Sequence, residues 1–159
     1  MRLGLLWVGR TRDGNIRAAI EGYVERIGKY TPTRVIEVKE ETAHDRHAEA
    51  AALEKEGERI REKIPRDHEV VLLDPRGREL SSVQFAGFLD RRLGASSSSM
   101  KGLTFVVGGH LGVDARTRRL ARHTISLSRM TLTHEMARLV AVEQIYRGLC
   151  ILHGAPYHR

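Results

Sequence analysis

The feature that most constrains the fold of this chain is the alternation of short apolar runs with longer helical segments. The runs "LGLLWV", "VVLL" and "LTFVV" are typical of buried strands, and "TRVIEV" and "TISLS" predict two further strands. Residues 15–27 place apolar side chains at helical spacing, and residues 43–64 are rich in helix-forming residues before Pro65. This order predicts a single α/β domain over residues 1–159, with a mostly parallel sheet and helices on both of its faces.

Local signals place the remaining elements and the turns between them. The sequence "DPRG" at residues 74–77 predicts a tight turn that ends the third strand. Serine caps a helix over residues 81–93, and the serine-rich segment "GASSSSMKG" after it predicts a flexible loop. The last helix extends over about residues 134–149. A helix after Gly112 carries the arginines Arg116, Arg118, Arg119 and Arg122.

The composition limits the class of protein without deciding its partner. Hydrophobic residues make up 41% of the 159 residues, which argues for one packed core and against a disordered chain. The 27 Lys and Arg residues against 20 Asp and Glu residues give a net charge of +7. Such a balance fits a polyanionic partner, of which nucleic acid is the commonest, and fits equally well a basic surface with no partner.

Cysteine usage and the lengths of the apolar stretches indicate the compartment. Cys150 is the only cysteine, which excludes a disulfide within the chain and a zinc site built from cysteines. No apolar stretch approaches the length of a membrane span, and the first run is too short for the core of a signal peptide. We therefore expect a cytoplasmic protein with no membrane partner.

Three of the predicted strands end in residues that suit a binding site. These ends are Leu73 in "LLDPRG", Gly108 in "VVGGHLG", and the segment "SLSRMTL" at residues 126–132. Ligands of open α/β sheets gather outside the carboxyl ends of the strands, where glycine lets the backbone approach a ligand. The glycines match neither the dinucleotide fingerprint nor the Walker sequence, and alone they are more typical of a tight turn. Three strand ends with residues of this kind in one small domain favour a binding site.

The segment "THEMAR" contains the first half of the zinc-protease motif H-E-x-x-H. That motif needs a second imidazole four residues after the first, on the same face of a helix. The residue four positions after His134 is Arg138, whose fixed charge would repel a metal ion. The sequence therefore predicts no metal site here. Instead it predicts a helix that begins at the cap Thr133, with Glu135 and Arg138 paired on its surface.

Apolar residues cover most of the circumference of the last helix. This pattern predicts burial on more than one side, and a small chain has little material to cover such a helix. We therefore expect a homodimer that forms through the C-terminal helix. Glu143 and Arg147 have the spacing of an ion pair, and that pairing is at least as well supported as a catalytic role for Glu143. The apolar residues are Met136, Ala137, Leu139, Val140, Ala141, Val142, Ile145 and Leu149.

The tail "HGAPYHR" carries functional groups that chain ends usually lack. His153, Tyr157, His158 and Arg159 suffice for stacking on a base, proton transfer and phosphate contact. The alternative is a basic end without fixed structure, which composition alone favours.

Several segments together resemble one protein family over essentially the whole chain. In chain order they are "LLWVGR", "KEGERI", "LLDPRG", "VVGGHLG", "SLSRMTLTHEMARLVAVEQIYR" and "PYHR". They are similar to segments of the SPOUT-class, or α/β-knot, methyltransferases that modify a pseudouridine in bacterial large-subunit ribosomal RNA. The last two segments are the specific ones, whereas the glycine loop alone is not.

The resemblance implies a fold, a cofactor and partners. Members of the family have a C-terminal trefoil knot, act as homodimers and use S-adenosylmethionine. They transfer its methyl group to N3 of the pseudouridine in the 23S rRNA of the assembled ribosome. The resemblance also implies that the three strand ends form the cofactor pocket. The residues of that pocket are Leu73, Gly108, Leu127, Ser128, Arg129, Met130, Thr131 and Leu132.

Within this resemblance we expect the tail to carry the catalytic residues. His158 is the candidate base for the N3 proton, Tyr157 would stack on the target base, and Arg159 would bind phosphate. Two alternatives stay open. One is a non-catalytic RNA- or ribosome-binding module of the same fold, and the other is an α/β enzyme that uses another adenine nucleotide.

Overall fold

The computed structural model describes residues 2–94 and 100–158, without the side chain of His47. Strands and helices alternate in it from the first element to the last. Residues 95–99, which form most of the predicted serine-rich loop, lie outside the described residues. The elements are β1 (Arg2–Val8), α1 (Gly14–Gly28), β2 (Thr33–Val38), α2 (Arg46–Lys63), β3 (His68–Glu79), α3 (Ser82–Leu93), β4 (Gly102–Val107), α4 (Ala115–Leu120), β5 (His123–Ser126) and α5 (His134–Leu152).

The strands form one sheet in the order β2-β1-β4-β3-β5, and every neighbouring pair is parallel. The register aligns Leu5 of β1 with Val35 on one side and with Phe105 on the other. β1 and β4 are buried on both faces, which explains their unbroken apolar sequences. The predicted α/β fold with a parallel sheet is confirmed. The trefoil knot implied by the family resemblance stays a prediction.

Helices cover both faces of the sheet, as the sequence predicted. α1, α3 and α5 pack on the face that carries Leu5 and Phe105. α2 and the segment that leads into α4 pack on the other face, over a smaller core that includes Leu6 and Val106. α5 contacts both α1 and α3, so neighbours within the chain cover much of its apolar circumference. The expectation that a second subunit covers the rest of this helix stays a prediction.

Each helix begins at a side chain that accepts hydrogen bonds from free backbone N–H groups of the first turn. At α3 the arrangement is reciprocal, because the Gln84 side chain accepts a hydrogen bond from the Ser81 backbone N–H at 2.9 Å. A cap of this kind contributes about 1 kcal/mol, and it fixes where each loop gives way to a helix. The predicted serine cap of α3 and the predicted Thr133 cap of α5 are confirmed. The capping residues are Asp13, Asp45, Ser81, Asp114 and Thr133.

The segment after Leu73 differs from the turn that the sequence predicted. β3 continues through Pro75, and β5 pairs with it on both sides of a register shift between Leu73 and Arg78. Gly77 permits this close pairing, because a Cβ atom there would lie 2.6 Å from the backbone of Ile125. The Asp-Pro-Arg-Gly sequence therefore forms an irregular strand instead of a reversal of the chain.

Two helix ends also differ from the prediction. α4 ends at Leu120, because the backbone of Ala121 is extended and the Arg122 N–H donates to the Val70 carbonyl oxygen at 3.0 Å. Arg122 therefore lies outside the helix, directly before β5. α5 continues past residue 149 to Leu152.

Arg138 is fully buried instead of pairing with Glu135 on the surface of α5. Its guanidinium donates hydrogen bonds to the Val8 carbonyl oxygen at 2.5 Å and to the Thr11 hydroxyl at 3.0 Å. Glu135 instead accepts hydrogen bonds from the backbone N–H groups of residues 12–13, at 2.6 and 3.3 Å. The predicted surface pair was therefore wrong, since both side chains tie the start of α5 to the segment after β1.

Candidate functional site

The three strand ends that the sequence singled out meet at one cavity at the carboxyl edge of the sheet. β4, β3 and β5 are neighbours in the strand order, so their carboxyl ends lie side by side. The cavity has a volume of about 220 Å³. Its lining residues are Leu73, Asp74, Pro75, Val107, Gly108, Gly109, His110, Gly112, Leu127, Ser128, Met130, Leu132, His134 and Ala137.

Most of the residues predicted to bind a cofactor line this cavity. They are Leu73, Gly108, Leu127, Ser128, Met130 and Leu132. Arg129 and Thr131 belong to the same loop but do not line the cavity. The Arg129 side chain is 88% exposed and pairs with Glu79 at 3.2 Å, and Thr131 is exposed as well. Ser128, Met130 and Leu132 therefore face the cavity, while the residues between them face solvent.

The glycine loop after β4 folds tightly on itself. The Gly112 N–H donates to the Gly109 carbonyl oxygen at 3.0 Å, and Gly112 has a φ of 82°. A Cβ atom at Gly108 would lie 2.4 Å from the Gly112 carbonyl oxygen. Both positions therefore require glycine, and the loop presents backbone rather than side chains to the cavity.

Serine hydroxyls hold the loop between β5 and α5 in shape. The Ser126 hydroxyl donates to the Ser128 carbonyl oxygen at 3.0 Å. The Ser128 hydroxyl accepts a hydrogen bond from the Met130 N–H at 2.9 Å. The serines are thus occupied by local backbone bonds. Met130, which is 78% exposed at the rim of the cavity, is left free to contact a ligand.

Asp74 joins the wall of the cavity to α4. Its carboxylate accepts hydrogen bonds from the Arg76 backbone N–H at 2.9 Å, from Arg76 Nε at 3.1 Å and from Arg118 Nη2 at 2.9 Å. Burial alone would raise the pKa of Asp74, but the hydrogen bonds from Arg76 and Arg118 outweigh it. They hold the pKa far below its ordinary value of 3.8. Asp74 is therefore a fixed negative charge that anchors the end of β3.

Sequence reasoning missed several residues of the lining, of which His134 is the most notable. It was considered only as a metal ligand and rejected as one, yet it lines the cavity together with Ala137. Side chains of a helix lean toward its N-terminus, and α5 begins directly after the loop. That lean is the signal that could have found both residues. Asp74, Pro75 and His110 lie in the segments "LLDPRG" and "VVGGHLG", from which only Leu73 and Gly108 were assigned to the pocket.

The tail packs against α1 and α5 of its own chain. The Tyr157 hydroxyl lies 3.0 Å from the Tyr23 hydroxyl and donates to Glu143 Oε1 at 3.1 Å. Arg147 pairs with the same carboxylate, and its guanidinium lies 4.7 Å from the centre of the Tyr157 ring. The predicted pairing of Glu143 with Arg147 is confirmed, and Tyr157 completes a small cluster around it.

This cluster has a chemical consequence for the tyrosine. Burial raises the pKa of Tyr157, and the hydrogen bond with Tyr23 and the charge of Glu143 raise it further. The phenol therefore stays protonated and acts as a donor. His158 follows it and is exposed, while Arg159 lies outside the described residues. Neither Tyr157 nor His158 lines the cavity of its own chain.

A larger cleft of about 780 Å³ lies beside the first cavity, at the ends of β1 and β2. His110 lines both. Behind it, Glu56 is buried with Oε2 lacking a hydrogen-bond partner, and burial raises its pKa. Positive and negative side chains line the cleft in equal number, so no single sign of charge prevails there. They are Arg10, Arg12, Glu37, Lys39, Glu40 and Glu41.

Residues 2–94 and 100–158 contain neither a cluster of metal ligands nor a membrane-spanning helix. No group of three or more His, Cys, Asp or Glu side chains in these ranges is placed to hold a metal ion. None of the described helices is long and apolar enough to cross a membrane.

The fold and the cavity together define an α/β protein with a cavity at the ends of three adjacent parallel strands. Comparison with known families makes this class specific. The family described as "Predicted SPOUT methyltransferase" matches residues 1–158 of the chain. The chain belongs to the SPOUT methyltransferase family, which confirms the resemblance found in the sequence.

Similar proteins match this chain over its full length. A protein of Geobacter sp. (strain M21) is 44% identical over 159 residues, which cover 99% of both chains. A protein of Geotalea uraniireducens (strain Rf4) is 42% identical over 158 residues, again 99% of both chains. Each of these relatives is named "Ribosomal RNA large subunit methyltransferase H".

Solved structures share the fold at much lower sequence identity. A probable methyltransferase from Bordetella pertussis Tohama I has a TM-score of 0.56 at 13% identity, covering 93% of this chain and 96% of its own. A probable methylase family protein from Haemophilus influenzae Rd KW20 has a TM-score of 0.52 at 11% identity, covering 99% of this chain and 70% of its own. At this identity the likeness concerns the fold alone.

Proposed function

We propose that this protein is a cytoplasmic, S-adenosylmethionine-dependent methyltransferase that acts on N3 of a pseudouridine in the 23S rRNA of the assembled ribosome. The convergence of three strand-end loops on one cavity, in a chain of a methyltransferase family, carries this proposal. The name shared by the relatives supports ribosomal RNA of the large subunit as the substrate. The net charge of +7 suits a polyanionic substrate.

The residues of the cavity fit the methyl donor. Leu73, Leu127 and Leu132 offer apolar surface for the faces of an adenine ring. The backbone of the glycine loop can approach the polar edge of the ring, because Gly108 has no side chain in the way. When bound, S-adenosylmethionine supplies a methyl group on a sulfonium sulfur, which keeps the electron pair of the broken bond and becomes a neutral thioether.

The chain itself contributes orientation and proton removal. The local bonds of Ser126 and Ser128 fix the loop, so that the target base can be held in line with the methyl group. The nitrogen N3 must lose its proton as it forms the bond to the methyl carbon. In this proposal the His158 imidazole accepts that proton, Tyr157 contacts the base and Arg159 contacts a phosphate.

The position of the tail indicates whether it contacts the cavity of its own chain or that of a second subunit. Tyr157 is held at Glu143, which lies about 9 Å along the axis of α5 from the cavity residue Ala137. The tail therefore does not complete the cavity of its own chain. In this proposal a homodimer formed through α5 brings the tail of one subunit to the cavity of the other.

A stripe of α5 that is not fully buried within the chain supports the homodimer. Met136, Val140, Glu143 and Arg147 recur at helical spacing along this stripe. Val83, on the neighbouring α3, is 59% exposed. Apolar side chains next to an ion pair suit a self-complementary interface. We expect sedimentation equilibrium at micromolar concentration to show a dimer, whereas a folded and active monomer would contradict this part of the proposal.

Calorimetry separates the proposal from the alternatives that the sequence left open. We expect S-adenosylmethionine to bind, and ATP and NAD not to bind. A non-catalytic RNA- or ribosome-binding module would bind none of the three, and another adenine-nucleotide enzyme would bind ATP or NAD. Transfer is then tested by incubating the protein and labelled S-adenosylmethionine with ribosomes that lack the modification. If neither the ribosomes nor free ribosomal RNA become labelled, the proposed activity is refuted.

A further inference from the structure

The face of the sheet opposite α5 carries a concentration of arginines beside the cavity. Residues 115–122 contain four arginines and no acidic residue. Together with one arginine of β3, three of them form what we call the α4 surface. It consists of Arg76, Arg116, Arg118 and Arg119.

Two of these arginines lie at the wall of the cavity. The carboxylate of Asp74, a lining residue, accepts hydrogen bonds from both Arg76 and Arg118. The Arg76 side chain is nevertheless 75% exposed and the Arg118 side chain 32% exposed. One carboxylate thus fixes two guanidinium groups in place but neutralises only one of them, and both keep N–H groups directed to solvent.

The other two arginines carry unbalanced charge. Arg116 and Arg119 are exposed on α4. In the described part of the chain, neither of their side chains has an ion-pair or hydrogen-bond partner. The nearby carboxylate of Asp114 does not reduce this charge, since it is paired with Arg61 of α2 at 2.7 Å. The α4 surface therefore has four guanidinium groups against the single carboxylate of Asp74.

The position of this surface leaves it accessible in the proposed dimer. α4 packs with α2 on one face of the sheet, whereas α5 lies on the other face between α1 and α3. An interface through α5 therefore does not cover α4. The surface adjoins the cavity through Asp74, so a polyanion bound there lies next to the reacting position.

We propose that the α4 surface binds backbone phosphates of the RNA next to the target nucleotide, and this inference rests on the proposed function. Arginine suits the task because its planar group binds two phosphate oxygens at once. Each phosphate neutralised by such a group releases a counterion from the RNA, so that binding weakens as salt rises. The contact is assigned to the face of the sheet that carries α2 and α4, beside the cavity and apart from the tail.

The test compares two variants that lose the same amount of charge. Arg116→Gln/Arg119→Gln removes two charges from the α4 surface and leaves the Asp74 contacts intact. Arg34→Gln/Lys63→Gln removes two exposed charges at the opposite, amino edge of the sheet. Arg116→Lys/Arg119→Lys keeps the charge at the α4 surface. Each protein is measured for binding to ribosomes that lack the modification, by filter binding over a range of salt concentrations.

The expected result is a change in the salt dependence of binding for one variant only. The slope of log affinity against log salt should decrease in magnitude by about 1.5 to 2 for Arg116→Gln/Arg119→Gln, which corresponds to two lost phosphate contacts. The slope should stay at the wild-type value for Arg34→Gln/Lys63→Gln and largely return in the lysine variant. Affinity for S-adenosylmethionine should be unchanged in all three.

Two results would overturn the inference. One is equal slopes for the two glutamine variants, and the other is a loss of affinity that is the same at every salt concentration, which indicates a contact with protein. Labelled methyl transfer by the wild-type protein is scored separately. If the wild type transfers methyl groups while the slopes are equal, the inference fails and the proposed function stands. If no methyl group is transferred, the function fails, and the slopes alone decide whether the α4 surface binds RNA.

Discussion

Arg138 on α5 donates a hydrogen bond from its buried guanidinium to the backbone carbonyl oxygen of Val8, the last residue of β1. A second bond reaches the hydroxyl of Thr11, and the guanidinium also lies 5.6 Å from the centre of the Trp7 ring. This contact joins the helix that begins at the cavity to the carboxyl end of β1. Removing the Arg138 side chain should therefore lower the stability of the protein more than removing any exposed charged side chain of α5.

We expect Arg138→Met to lower the free energy of unfolding by about 3 kcal/mol, because the buried Val8 carbonyl and Thr11 hydroxyl lose their donors. Methionine keeps most of the apolar volume, so the change reports the lost hydrogen bonds. Urea denaturation measures it. The control is Arg17→Met, on the exposed side of α1, for which we expect a change within about 0.5 kcal/mol. Equal losses in the two variants would contradict the structural role assigned to Arg138.

We expect Gly108→Ala to weaken the binding of S-adenosylmethionine at least tenfold. The added Cβ atom would lie 2.4 Å from the Gly112 carbonyl oxygen, so the glycine loop must move out of its place at the cavity. Gly28→Ala is the matched control, since a Cβ atom at that position meets nothing within 4 Å. Calorimetry should give wild-type affinity for Gly28→Ala. Wild-type affinity for Gly108→Ala would remove the glycine loop from the cofactor site.

The Asp74 anchor predicts a specific loss of stability in acid. The pKa of Asp74 in the folded protein is below its ordinary value, so its ion pairs stabilise the fold above about pH 4 and are lost as the pH falls below that. The free energy of unfolding of Asp74→Asn should therefore change less between about pH 5 and pH 2 than that of the wild type. Arg118→Gln should make this acid-dependent loss smaller than in the wild type, because without Arg118 the pKa of Asp74 in the folded protein is depressed less. An unchanged acid slope in Asp74→Asn would contradict the anchor.

His158 is tested by the pH dependence of a single turnover. An imidazole base must be neutral to accept the N3 proton, so the wild-type rate should rise with pH and level off. His158→Ala should slow the step by about a hundredfold and remove that rise. An unchanged rate across the pH range would exclude His158 as the base.

Mixing two inactive variants tests whether the tail acts on the cavity of the other subunit. His158→Ala keeps a sound cavity, and Gly108→Ala keeps a sound tail. After subunit exchange about half of the dimers are mixed, and each of these would contain one complete site, so about a quarter of the wild-type activity should return. No recovery in a mixture shown to contain mixed dimers would contradict action between subunits.

The sequence predicted the parts of the fold that follow from local pattern. Buried strands such as "LTFVV" and the helices between them have distinct periodicities, and the alternation leads to a parallel sheet. The cavity could also be predicted, because the carboxyl ends of neighbouring parallel strands meet. The pattern singled out the three strand ends, and the family resemblance then implied that Leu73, Gly108 and Leu132 belong to one pocket.

The errors concern residues whose environment depends on distant parts of the chain. The sequence "DPRG" has every local signal of a turn, but pairing with β5 keeps it extended. Arg138 has the spacing of a surface pair, but its partners Val8 and Thr11 lie 130 and 127 positions away. The contact of Tyr157 with Tyr23, which spans 134 positions, was likewise not predicted. Such contacts are set by packing, and no periodicity encodes them.

We propose that the cavity at the ends of β3, β4 and β5 serves methyl transfer to one nucleotide of the 23S rRNA. The most direct test of this proposal uses mass spectrometry of 23S rRNA from ribosomes that lack the modification, after incubation with the protein and isotopically labelled S-adenosylmethionine. We expect one labelled methyl group per 23S rRNA, on N3 of a pseudouridine, with wild-type yield for Gly28→Ala and a strongly reduced yield for Gly108→Ala. A label on another base or on ribosomal protein, or no label at all, would contradict it.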